Sequence, residues 1–90
     1  MNEVNYWEEL MASKYKDEEG KEKSAWKIKL DEINDYNTLF EGVTYCQDQM
    51  NDNAEKFFDK GTKAAGRRAR NYAQKVKDIS SRIRTVISNS

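Results

Sequence analysis

Histidine and proline are absent from this chain, cysteine occurs once, and glycine occurs only at positions 20, 42, 61 and 66. Without histidine, the usual general base near neutral pH and the commonest metal ligand are missing. Cys46 has no second cysteine to pair with and no histidine to activate it. It therefore reads as a small buried hydrophobe in a reducing compartment. So few helix breakers favour long helices over a turn-rich β fold. No stretch approaches the ~20 apolar residues of a membrane span. Met1-Asn2-Glu3 lacks the basic start and apolar middle of a signal peptide. The acid cluster Asp17-Glu18-Glu19 lacks calcium-loop spacing, and no glycine-rich phosphate loop occurs. These absences predict a cytoplasmic protein that is not an enzyme and binds no cofactor, metal or membrane.

What remains is small and heavily charged. Ninety residues make one domain at most, and 37% hydrophobic residues with a mean hydropathy of -1.08 leave little private core. Chains of this kind often borrow core from another subunit, which predicts a homo-oligomer, a dimer in the simplest case. The net charge of zero hides a division. Residues 1–55 carry 6 basic and 14 acidic side chains, whereas residues 56–90 carry 10 basic and 2 acidic ones. A basic surface seeks anions, and an acidic one seeks or masks a basic surface, so the acidic half is a candidate site for a protein partner.

Along the chain, Val4, Trp7, Leu10 and Met11 recur at helical spacing, which predicts a short amphipathic helix from roughly Asn5 to Lys16. Lys16 to Lys23 contains no apolar residue and reads as a solvated linker, with Gly20 placed to end the first helix. Trp26, Ile28 and Leu30 alternate as in a strand, while Trp26, Leu30 and Ile33 also fit a helix. A lone strand would lack a partner, so the helix is favoured. From there Ile33, Tyr36, Phe40, Val43, Gln47, Met50, Ala54 and Phe57 advance in alternating steps of three and four, the spacing of a helix packing along one seam. Gly61 can terminate that helix and Thr62 can cap the next. The seam resumes as Ala65, Ala69, Tyr72, Val76, Ile79, Ile83 and Val86. The small residues Ala64, Ala65, Gly66 and Ala69 allow close backbone approach near the turn. The fold class expected is all-α: a short N-terminal helix, then an antiparallel coiled-coil-like helical hairpin completed by dimerisation. Residues 1–23 form an acidic segment with a short helix and charged linker, and residues 24–90 the hairpin with its basic last helix. One long helix with a local adjustment is the rival geometry.

With that seam inward, Lys63, Arg70, Lys77 and Arg84 fall seven residues apart along one flank of the last helix. Arg68, Lys75 and Arg82 do so along the other, and Arg67 lies on the back. Two files of cations on a rigid rod can follow a phosphate backbone, because each neutralised phosphate releases condensed counterions. Arginine adds forked donors that match phosphate oxygens. Alternatively the cations solvate the helix or pair with the acidic file Glu41, Asp48 and Glu55. Exposed pairs contribute only ~0–1 kcal/mol, so stability alone does not demand so many. Phe57 and Tyr72 read as core rather than as stacking surfaces, and Trp7 and Trp26 as packing residues.

The segment Lys60-Gly61-Thr62-Lys63-Ala64-Ala65-Gly66-Arg67-Arg68-Ala69-Arg70 resembles the histone-like proteins of chlamydiae and many other bacteria, related in name to linker histones. The likeness spans about residues 50–90 and continues through Val76-Lys77-Asp78-Ile79 and Arg82-Ile83-Arg84. Thr62 stands where that family usually has asparagine. An acidic half precedes the motif, and no lysine/alanine/proline-rich tail follows it within these residues. The resemblance implies nucleic-acid binding without strong sequence preference, to DNA ahead of RNA, and nucleoid association in a bacterial cell. It carries to Lys60, Lys63, Arg67, Arg68 and Arg70, and less directly to Lys75, Lys77, Arg82 and Arg84. Any such contact is expected to reach mainly the phosphate backbone. The alternatives are a protein–protein adaptor or a small virus-encoded effector that uses the acidic half.

Overall fold

A computed structural model describes residues 4–90, and these divide into two compact units, residues up to 34 and residues 35–90. Met1, Asn2 and Glu3, read above for a signal peptide, lie outside the described residues, as do the side chains of Val4 and Asn5.

In the first unit α1 spans Val4–Ala12, β1 Lys14–Lys16, β2 Glu22–Ser24 and α2 Trp26–Asp31. Trp7 is buried, with Leu10 and Met11 half-buried, as their spacing predicts. The helix stops at Ala12, four residues short of the expected Lys16, because the chain there turns into a strand. β1 pairs antiparallel with β2, Tyr15 opposite Lys23. The segment read as a featureless linker is thus a β-hairpin, and Gly20 serves its turn instead of ending the helix. Asp17 organises that turn: its Oδ1 accepts hydrogen bonds from the amides of Glu19 and Lys21, both at 2.9 Å. Gly20 takes φ +82°, which only glycine adopts cheaply. Every residue of both strands is exposed, so no apolar alternation announces them.

Residues 26–30 are helical, as favoured. Trp26 and Leu30, one turn apart, are buried, while Ile28 between them is half exposed. The indoles of Trp7 and Trp26 meet edge to face at 6.2 Å, a preferred geometry for aromatic pairs.

The second unit is a helical hairpin: α3 spans Tyr36–Lys60 and α4 Lys63–Ser88. Asp35 caps α3, its carboxylate accepting from the Thr38 amide and hydroxyl, each at 2.9 Å. Those two donors hold its carboxyl below the ordinary 3.8. A depressed native value gives a stabilisation that is complete above the unfolded-state pKa and fades as pH falls through the lower native one. The helix melting midpoint is therefore expected to drop below about pH 4, and Asp35→Ala to lose part of that acid dependence in thermal melts at pH 7 and pH 2.5.

At the turn Gly61 adopts φ +69° and its amide donates to the Phe57 carbonyl at 2.9 Å, ending α3 where the sequence places the break. Thr62 occupies the cap position of α4, but its side chain makes no capping bond. Three cross-helix contacts give the antiparallel register: Tyr45 with Tyr72, Asn53 with Arg68, and Phe57 over Gly66.

The α4 stripe is as expected, with Ala65 and Ile79 buried and Ala69, Tyr72, Val76, Ile83 and Val86 half-buried. The α3 stripe differs. Its buried residues are Leu39, Gly42, Cys46 and Asn53. Of the predicted seam, Tyr36, Phe40, Gln47 and Phe57 are exposed, and Val43, Met50 and Ala54 half-buried. The stripe keeps the expected spacing but lies one residue earlier, so Leu39, Gly42, Cys46 and Asn53 are inside and the aromatics Tyr36, Phe40 and Phe57 are turned to the flank. Cys46 is fully buried, as read.

Candidate nucleic-acid interface

α4 carries eight cations and one acid, Asp78, within 26 residues. Its buried stripe divides those cations into two groups. Lys63, Arg67, Arg70, Lys77 and Arg84 are exposed, as is Lys60 at the end of α3. Lys23 pairs with Asp17 at 3.8 Å and Lys56 with Asp52 at 3.3 Å, and neither pair involves these six side chains. Glu41, Asp48 and Glu55 are exposed as well, so the acidic file of α3 leaves the outer cations of α4 unneutralised.

Lys63, Arg70, Lys77 and Arg84 form the one outward file. A helix rises 1.5 Å per residue, so seven residues advance about 10.5 Å and the file extends about 31 Å. Each step is close to three base-pair rises of about 3.4 Å, and Arg67 broadens the basic face near the turn.

The second predicted file, Arg68, Lys75 and Arg82, is not its mirror image. Arg68 is exposed too, but its Nε donates to the Asn53 side-chain carbonyl at 2.8 Å, and Asn53 donates in turn to the Gln49 carbonyl at 2.8 Å. Asn53 is 5% exposed, so this bond satisfies a polar group inside the helix pair. Lys75 and Arg82 are half-buried and neither is free. A strict seven-residue count missed the bond of Arg68 across to α3. The informative signal was Asn53, a polar residue on the small-residue stripe that needs a donor across the interface.

Two surface features lie beside the cations. A basin of about 470 Å³ is lined by Ala64, Arg67, Arg68, Arg70 and Asn71. A more apolar groove of about 340 Å³ has walls from Ala54, Phe57, Phe58, Gly66 and Ala69, together with Lys63, Arg67 and Arg70. Gly66 makes the groove's geometry. A Cβ there would stand 2.7 Å from the Phe57 ring, so the glycine lets that ring lie against α4. Its helix-propensity penalty of ~1 kcal/mol is the counterpart of this close approach. Phe57, expected in the core, is 38% exposed, and Phe58 is 80% exposed.

A two-helix hairpin with a buried stripe between its helices, and a second helix lined outward by unpaired cations, defines a basic helical module. The chain belongs to the family described as histone H1-like protein Hc1, whose model matches residues 37–90, 54 of its 90 residues. The match takes in all of α4 and all of α3 except Tyr36, reaching further toward the N-terminus than the motif at the turn. No curated protein and no solved structure matches the chain. Among the described residues, no helix is long and apolar enough to cross a membrane.

Proposed function

We propose that this protein binds DNA, mainly through sequence-independent contacts between phosphates and the outer face of α4. Lys63, Arg67, Arg70, Lys77 and Arg84 carry those contacts, joined by Lys60 at the end of α3. Arg68, Lys75 and Arg82 contribute at the edge of the interface, where their other contacts allow. The observation that supports this reading is the exposed, unpaired state of the six outer cations in a chain whose own carboxylates are equally numerous. Membership of a histone H1-like family points the same way. In a bacterial cell such a protein would be nucleoid-associated.

Self-association belongs to the same reading. Tyr36 and Phe40 are 48% and 53% exposed, with their rings stacked at 6.0 Å on the flank of α3. Together with the low apolar content, that exposed pair favours a homodimer in which a second copy covers it.

The test is a titration against duplex DNA of unrelated sequences at several salt concentrations, with the mass of the free protein measured in parallel. Six neutralised phosphates give a slope of about -5 in log K against log salt, with little difference between sequences. Salt-independent binding, or none at low ionic strength, would overturn the reading.

A further inference from the structure

We infer that the groove at the hairpin turn receives an unstacked nucleobase of a single strand, laid against Phe58, while the adjoining phosphate meets Lys63, Arg67 and Arg70. The inference rests on the proposed phosphate contacts and adds a second ligand class to the same helix end.

Phe58 is 80% exposed, yet its ring has a fixed neighbour: it meets the Phe57 ring edge to face, centroids 5.0 Å apart at 77°. Phe57 in turn lies over Gly66, whose missing Cβ leaves the space the ring occupies. The pair is therefore positioned by a glycine on the opposite helix, although neither ring belongs to the buried core. The groove beside them is chiefly apolar, and the charged residues lining it, Lys63, Arg67 and Arg70, are all cationic. An apolar peptide would gain nothing from three cations, and a bare phosphate nothing from two aromatic rings. A nucleotide presents both a flat π-face and an adjoining anion. In a duplex those faces are stacked inside, so a ring standing on the surface selects single strands, frayed ends or unpaired bases.

The experiment compares the full chain with Phe58→Ala and Phe58→Trp, using a short single-stranded oligothymidine carrying one 2-aminopurine and a duplex of equal length. Loss of one ring–base stack is expected to weaken single-strand binding about tenfold in Phe58→Ala and to abolish quenching of the 2-aminopurine. Duplex affinity and its salt slope stay unchanged, and Phe58→Trp retains both strand binding and quenching. Circular dichroism of Phe58→Ala checks that an 80% exposed side chain leaves the fold intact. If Phe58→Ala binds and quenches the single strand like the unaltered chain, the base site is wrong while the phosphate interface stands. If the unaltered chain binds neither strand form at low salt, the phosphate interface itself fails. If Phe58→Ala changes the mass of the free protein and not its strand affinity, the groove is a contact between copies, which also overturns the base site.

Discussion

Alanine at Lys63, Arg67, Arg70 and Lys77 together is expected to lower duplex affinity on the order of a thousandfold at 0.15 M salt. Each lost phosphate contact removes about 0.9 from the salt slope, which at that concentration is somewhat under one decade in affinity per cation. Four such losses bring the slope from about -5 to about -1 to -2. Because the four side chains are exposed and lie on the face of α4 away from its buried stripe, the melting midpoint should change little. A charge-preserving variant, Arg67→Lys with Arg70→Lys, should keep the slope while losing only the forked geometry. Arg68→Ala should behave differently from the outer four. It removes the donor that satisfies the Asn53 carbonyl, so thermal stability falls before any effect on the salt slope is seen. A mobility-shift series at 0.05, 0.1 and 0.2 M salt separates these outcomes. Unchanged affinity in the fourfold variant would mean that α4 is not the contact surface.

The second large effect is on the fold. Ile79 is fully buried, and in α4 only it and Ala65 are buried outright. Ile79→Ala removes its packing and leaves a gap that two rigid helices cannot close, at about 2–5 kcal/mol. A domain this small has only a few kcal/mol of stability to begin with, so the variant should lose most of its helical signal at 37 °C. Ile87→Ala, at a position 61% exposed, should stay within about 0.5 kcal/mol of the unaltered chain. Urea denaturation followed by far-ultraviolet circular dichroism checks both. A mild effect at Ile79 would show that the contact with α3 is looser than its burial implies.

The helical hairpin was legible in the sequence because Gly61 interrupts two otherwise unbroken periodic segments, and that chemistry is local. The α4 stripe was legible for the same reason: its aliphatics and its cations occupy different faces. α3 was harder. Its aromatics Tyr36, Phe40 and Phe57 recur at seam-like spacing, so a reading based on that period places them inward. The structure buries Leu39, Gly42, Cys46 and Asn53 instead, the same spacing one residue earlier, and spacing alone does not choose between the two phases. The β-hairpin escaped notice because strands without an apolar face have no period to detect. Only Asp17 and Gly20, three residues apart, encode the turn, through a side-chain cap and a left-handed backbone. Of the candidate site, the outward file followed from spacing alone. The inward lean of Arg68 depended on a partner, Asn53, fifteen residues away on the other helix.

The acidic file Glu41, Asp48 and Glu55 and the basic file of α4 belong to different helices of one hairpin, both exposed and not paired to each other. The hairpin is consequently polarised across its width. A duplex lying along α4 leaves carboxylates on the remote side, and these repel a second polyanion. On the proposed reading, the hairpin offers a duplex one cationic face, that of α4. Bridging two duplexes through α4 would then require two copies joined so that their cationic helices look in opposite directions, which makes assembly, rather than affinity, the step that decides between coating and cross-linking.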